Sequence, residues 1–139
     1  MRVMLADQRN SVRIALRLFL EEQEGIQIVS EVCRVGELVR DAPKIQPELI
    51  ILNWDLVGFQ INLGEAAPPR RTYAQVKAVV ISSLHKLGSN PGVVVLCNQQ
   101  EDCLPALYAG ADAFIDQGQF PAQLPILLKS VRDKRAKIR

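Results

Sequence analysis

Asp7, Gln8, Asn53, Cys97 and Gln117 are the positions of this 139-residue chain whose side chains could meet and do chemistry. Each closes or closely follows a short apolar run: RVMLA before Asp7-Gln8, LIIL before Asn53-Trp54-Asp55, VVVL before Cys97-Asn98, and AFI shortly before Gln117. Together they supply one carboxylate, three amides and a thiol. A carboxylate oxygen can attack a phosphoryl donor, whereas a neutral amide oxygen is a far poorer nucleophile. A hard cation such as Mg²⁺ wants carboxylate oxygens, and here only Asp7 offers one. Asp55 is the obvious second acid. Strand alternation, in the register set by residues 49–52, leaves it in the turn beyond the strand end. Trp54 reads as a partly exposed turn residue beside the same place.

The elements that would position these groups follow from periodicity. Residues 2–6, 26–32, 49–52, 93–96 and 113–115 read as strands, rich in β-branched residues or continuously apolar as doubly covered strands are. Val12, Ala15, Leu16, Phe19 and Leu20 recur at helical spacing, with Asn10 or Ser11 as cap and Gly25 as terminator. Leu38 and Val39 sit in a short helix expected to end before Pro43. Residues 73–87 form a helix closed by Gly88. Residues 103–108 form a short one with Pro105 in its first turn, and 124 to about 135 form the last. Strand and helix thus alternate five times. That pattern predicts an α/β fold with a parallel sheet covered on both faces and sites at the carboxyl ends of its strands. Pro125, four residues after Pro121, is expected to disrupt the first turn of the last helix. Residues 58–71 (GFQINLGEAAPPRR) have little helical pattern and are long for such a connection, so they are expected over the site, with Arg70 and Arg71 free to dock an anion or partner.

Composition narrows the classes. A chain of this length is one domain and can bury a core without disulfide or metal. The apolar content of 48% is ordinary for a soluble protein. No apolar run reaches the roughly 18 residues of a membrane span. Met1-Arg2 leads directly into a strand, so no signal peptide is expected. Cys33, Cys97 and Cys103 lack metal-ligand spacing, and with the single His85 they predict reduced thiols in a cytoplasmic protein and no zinc site. The net charge of +2 hides an asymmetry: residues 129–139 hold six Lys/Arg and one Asp, on a body with eleven Lys/Arg and fourteen Asp/Glu. Such an end can contact an acidic partner or nucleic acid, but cations also suit a solvated helix C-terminus. The domain is therefore read as 1–128, with 129–139 as the basic end of the last helix or a tail.

The segments MRVMLADQRNSVRIALRLFLEE, PELIILNWDLVG and AGADAFIDQG, in that order and spacing, resemble the receiver domains of response regulators. The style of the first and last is closest to receivers that precede LuxR-type DNA-binding domains. The resemblance implies a (βα)5 doubly wound parallel sheet of flavodoxin-like order 2-1-3-4-5. It also implies a site in which two acids and an acceptor aspartate hold Mg²⁺, a hydroxyl residue binds the phosphoryl group and a lysine neutralises it. Position by position, Asp7 keeps a carboxylate and Gln8 stands at the second acid. Asn53 stands at the acceptor, Cys97 at the hydroxyl residue and Gln117 at the lysine, while Phe114 matches the aromatic partner of the switch. The implied protein is a pseudo-receiver of a two-component phosphorelay pathway: no enzyme, no cofactor, no bound metal.

Its expected partner is a protein or a second copy, bound through the face of the fourth helix, fifth strand and fifth helix. Leu104, Leu107, Tyr108, Leu128 and Arg132 would carry that face. No membrane contact is expected, and nucleic acid only through the basic tail. Two other classes remain. The neutral pocket could sense a small molecule, or Asp55 could serve as a conventional phosphoacceptor. A flavodoxin-like electron carrier would need a hydroxyl- and glycine-rich phosphate loop after the first strand, which residues 7–10 do not supply.

Overall fold

Alternation along the strands decides which core each residue enters. In the computed structural model, which describes residues 1–59, 70–119 and 122–138, Val3, Leu5, Leu49, Ile51, Val94 and Leu96 face one way. Met4, Ala6, Ile50, Leu52, Val93, Val95 and Cys97 face the other. The strands are β1 (Arg2–Ala6), β2 (Gln27–Val32), β3 (Leu49–Asn53), β4 (Gly92–Cys97) and β5 (Ala113–Asp116). They form one parallel sheet of order β2-β1-β3-β4-β5, as expected for a doubly wound (βα)5 fold. Helices α1 (Asn10–Glu21) and α5 (Leu124–Ile138) cover the first face through Leu16, Leu20, Leu124, Leu128 and Val131. Helices α2 (Val35–Ile45), α3 (Arg70–His85) and α4 (Cys103–Tyr108) cover the second through Leu38, Ala42, Ile81, Leu84, Cys103 and Ala106. Each large side chain so buried contributes about 1.5–3 kcal/mol. Among the described residues, no helix is long and apolar enough to cross a membrane.

Several boundaries differ from expectation for local reasons. Helix α2 does not stop before Pro43 but runs through it to Ile45. The missing N–H costs one bond in the last turn, and Gln46 then closes the helix in the left-handed region (φ 52°), its N–H donating to Ala42 O. Helix α1 starts after Arg9 with no side-chain cap, and the expected cap residue Asn10 instead accepts from Arg13. Pro125 is the second residue of α5, where an orphan N–H is lost anyway, so the helix is not disrupted there. Arg70 and Arg71, expected in the long connection, begin α3, and residues 60–69 of that connection lie outside the described residues. The turn ending β3 does use its glycine: Gly58 has φ +108°, and a Cβ there would sit 3.1 Å from the Cβ of Val35.

Entry into β5 depends on Asp112. Its Oδ2 accepts the Val93 N–H at 2.7 Å and lies 2.8 Å from His85 Nε2, tying the start of β4 and the end of α3 to the turn before β5. Asp112→Ala leaves the Val93 amide unsatisfied and should cost about 1–2 kcal/mol. His85→Ala, which removes only the partly exposed contact, should cost less than about 1 kcal/mol. Urea denaturation of both variants checks the ranking, and equal losses would contradict this role of Asp112.

Candidate functional site

Three strand ends bring the predicted residues to one edge of the sheet. Asp7 follows β1 and is 1% exposed; Asn53 ends β3 and is fully buried. A buried carboxylate needs a charge partner. Here the partner is Arg9, which sequence reasoning missed. Its Nε donates to Asp7 Oδ1 at 3.0 Å and its Nη2 to Oδ2 at 2.8 Å, a two-pronged pair reinforced by the Arg9 backbone N–H on Oδ1 at 2.8 Å. Arg13 adds a bond to the Asp7 carbonyl at 2.6 Å. The remaining Arg9 prong, Nη1, reaches Gln117 Oε1 at 3.1 Å, so one guanidinium links the ends of β1 and β5. The Asp7 contact is the main reason that Arg9 holds its proton more firmly than usual.

Asn53 is saturated in the same way. Its Nδ2 donates to Gln8 Oε1 at 3.3 Å and, at a long 3.4 Å, to Asp7 Oδ1. Its Oδ1 accepts from the Asp55 N–H at 3.0 Å and from Asn98 Nδ2 at 3.3 Å. Asn98 also donates to Asp55 Oδ2 at 2.9 Å, and Gln8 Nε2 donates to the Asp55 carbonyl at 3.1 Å. Asp55 does lie in the turn, with its side chain 53% exposed. Asp7, Gln8, Asn53 and Gln117 are thus joined directly or through Arg9. Cys97 is not part of that network. Strand alternation turns it to the opposite core, where it is fully buried beside Cys103, and Asn98 takes its place among the amides. Burial first, then Cys103, pushes its thiol up to about 12. Phe114, expected as the switch aromatic, is partly buried against that same core.

A second cation was also missed. Lys77 of α3 is 8% exposed, with Nζ 4.0 Å from the Trp54 ring centroid, 5.7 Å from that of Phe59 and 3.9 Å from Asp55 Oδ1. Trp54, expected to be partly exposed, is only 5% exposed because it packs into the second core under this lysine. The signal was legible: Lys77 falls four residues from Tyr73 and four from Ile81, inside an apolar stripe. Desolvation lowers the lysine's pKa, and Asp55 opposes the shift.

These donors do not fit a hard divalent cation. Both Asp7 oxygens face a guanidinium, and the neighbouring positions are amides. Among the described residues, no three His, Cys, Asp or Glu side chains are grouped to hold a metal.

The expected interaction face changes too. Leu104, Leu107 and Tyr108 are 63%, 38% and 87% exposed on α4, as that role requires. Leu128 is not on that face: it is 4% exposed and packs in the core beneath α5. Arg132 donates to Glu24 O at 2.8 Å, on the α1 flank of α5, so its charge points away from α4.

Sheet order, helix placement and the site at the carboxyl ends of β1, β3 and β5 define the fold of response-regulator receiver domains. Solved structures agree. The chain is 20% identical to a LuxR-family two-component response regulator from Aurantimonas sp. SI85-9A1, with a TM-score of 0.71 over 94% of this chain and 83% of that one. It is 18% identical to the isolated REC domain of RcsB from Salmonella enterica serovar Typhimurium, determined with the phosphomimetic BeF3-, with a TM-score of 0.74 over 96% and 88%. Among curated proteins it is 23% identical over 124 residues to the uncharacterized transcriptional regulatory protein YhcZ of Bacillus subtilis strain 168, covering 89% of this chain. The chain spans about half (51%) of that relative's length. No family model matches the sequence.

The buried ammonium makes a prediction with a definite sign. Between its lowered folded pKa and the ordinary 10.5, Lys77 holds more protons when unfolded, so stability should rise with pH across that window. Below the window the full cost of burying the charge is present. Lys77→Met keeps the packing and removes the charge, so it should match or exceed wild-type stability at pH 7 and abolish the alkaline rise. Denaturant midpoints between pH 7 and 10.5 test this. A large loss at pH 7 would mean that the aromatic and Asp55 contacts outweigh desolvation.

Proposed function

We propose that the chain is a receiver-type signalling module that works by protein contact and carries no phosphorylation cycle. The observation that carries this is the Arg9 guanidinium on both oxygens of Asp7, beside an amide at the acceptor position. A tethered cation stands where a metal would need the carboxylate, and Asn53 supplies no nucleophile. The site is neutralised from within, so the state of the fold is set by its own side chains or by a partner's preference for one state. Sensing of a small molecule has less support. Asn98 Oδ1 is the buried site oxygen without a hydrogen-bond partner among the described residues, while the amide of Asn53 is engaged at both ends. On this reading the module is cytoplasmic. Any link to transcription rests on the name of the curated relative and on neighbours such as RcsB bound to promoter rprA.

Phosphorylation is the direct test. With acetyl phosphate and Mg²⁺, intact mass should show no phosphoryl adduct, and millimolar Mg²⁺ should leave Trp54 fluorescence and the thermal midpoint unchanged. An adduct that disappears in Asp55→Asn would establish Asp55 as the acceptor and end the proposal.

The second part of the proposal is assembly. The α4–β5–α5 face is proposed to pair two copies, anchored by Leu104, Leu107 and Tyr108, the large apolar side chains of α4 that the fold leaves exposed. A two-fold contact must be self-complementary, and an apolar ridge meets its own copy without charge conflict. Sedimentation equilibrium at about 100 μM, a Kd range worth roughly 5–6 kcal/mol, should show a dimer for wild type and a monomer for Tyr108→Glu. A dimer indifferent to Tyr108→Glu would place the interface elsewhere.

A further inference from the structure

We propose that Cys97 and Cys103 are a dithiol pair that a small disulfide oxidant closes into an intramolecular disulfide, locking the end of β4 to the start of α4. Both cysteines are free and buried in the same core cluster, Cys97 at the end of β4 and Cys103 at the start of α4: Cys97 is 0% and Cys103 6% exposed. The third, Cys33, is exposed at the other end of the sheet order, after β2. The step balances with oxidised glutathione as oxidant. One protein thiolate attacks the glutathione disulfide, forming a mixed disulfide and releasing one reduced glutathione. The second protein sulfur, having lost its proton, displaces the other glutathione. The two protein hydrogens end on the two glutathione sulfurs.

Local construction supplies both the barrier and the way past it. With the junction closed, the thiols are shielded and Cys97 stays protonated at neutral pH, so neither reacts readily. Yet α4 is held weakly. Its buried side chains are Cys103 and Ala106, it is six residues long, and its start carries no side-chain cap. An element with so little buried apolar area opens at low cost. Opening exposes the thiols, and reclosing brings the second sulfur onto the mixed disulfide. Oxidation therefore reports on, and then fixes, the position of the helix that bears Leu104 and Tyr108. The chemistry stands whether or not the chain lacks a phosphorylation cycle.

The test uses the 139-residue chain as Cys33→Ser, leaving the two thiols in question. Incubated with oxidised glutathione at pH 8, the folded protein should lose the mass of two hydrogens, lose both titratable thiols, and recover them with a phosphine reductant. Sub-denaturing urea should speed the reaction several-fold, because opening limits it. Adding Cys103→Ser should abolish the disulfide and leave at most a stable glutathione adduct on Cys97; Cys97→Ala is the matching control should that variant fold poorly. Persistence of both thiols under oxidation at any sub-denaturing urea concentration would overturn the proposal. So would accumulation of doubly glutathionylated protein in place of the disulfide.

Discussion

The Asp7–Arg9 pair is the interaction on which the carboxyl edge of the sheet depends. A carboxylate that is 1% exposed cannot remain charged without compensation, and two residues of loop put a guanidinium on both its oxygens. The rest of the polar cluster arranges itself around that neutral unit. Gln117 accepts the third Arg9 prong, and Asn53 needs no charge partner because it has none to offer. The amides around it can stay uncharged because the one buried carboxylate is cancelled internally. A divalent ion would have to displace an arginine already held at hydrogen-bond distance, and Asp7 alone offers it too little in return.

The second cation follows the same electrostatic logic on the other face of the sheet. Lys77 reaches Asp55 across 3.9 Å but rests mainly on the Trp54 ring. A cation over an aromatic face gains up to about 2 kcal/mol when desolvated, which offsets part of the cost of its burial. The two cations leave different consequences. Arg9 keeps its charge across the ordinary pH range, whereas Lys77, its pKa lowered by desolvation, can lose its proton at alkaline pH.

How much of this was legible in the sequence depends on the range of the interaction. The alternation of strands and helices was legible because periodicity is local, whereas the strand order, a non-local property, came only from the likeness to receivers. The approximate bounds of β1, β3 and β4 followed from apolar runs alone. The meeting of Asp7, Gln8, Asn53 and Gln117 followed from parallel topology, which brings strand ends together whatever lies between. Arg9 was not found, because a loop arginine two residues from an acid is usually solvated. Lys77 was findable, because a lysine inside an apolar stripe must go somewhere. Leu128 and Arg132 were misplaced for different reasons. Leu128 is a core-facing leucine that was counted with the outer face, whereas Arg132 lies on the flank toward α1, which helical phase in a single sequence does not separate from the flank toward β5. Cys97 was assigned to the pocket by position along the chain, while the period of two along β4 sends it to the opposite core.

That last displacement separates two sets of contacts at the end of β4. Here the site side of β4 is served by Asn98, bonded to Asn53 and Asp55, and the α4 side by Cys97, packed on Cys103. The polar and the apolar contacts are divided between adjacent residues on opposite faces of the sheet. The polar cluster instead reaches toward the start of α4 through Asp55 and Lys77, whose ammonium feels the charges of both Asp55 and Asp102. The helix itself packs through Cys103 and Ala106 and turns Leu104, Leu107 and Tyr108 outward, so its apolar contacts and the charged edge meet at its first turn.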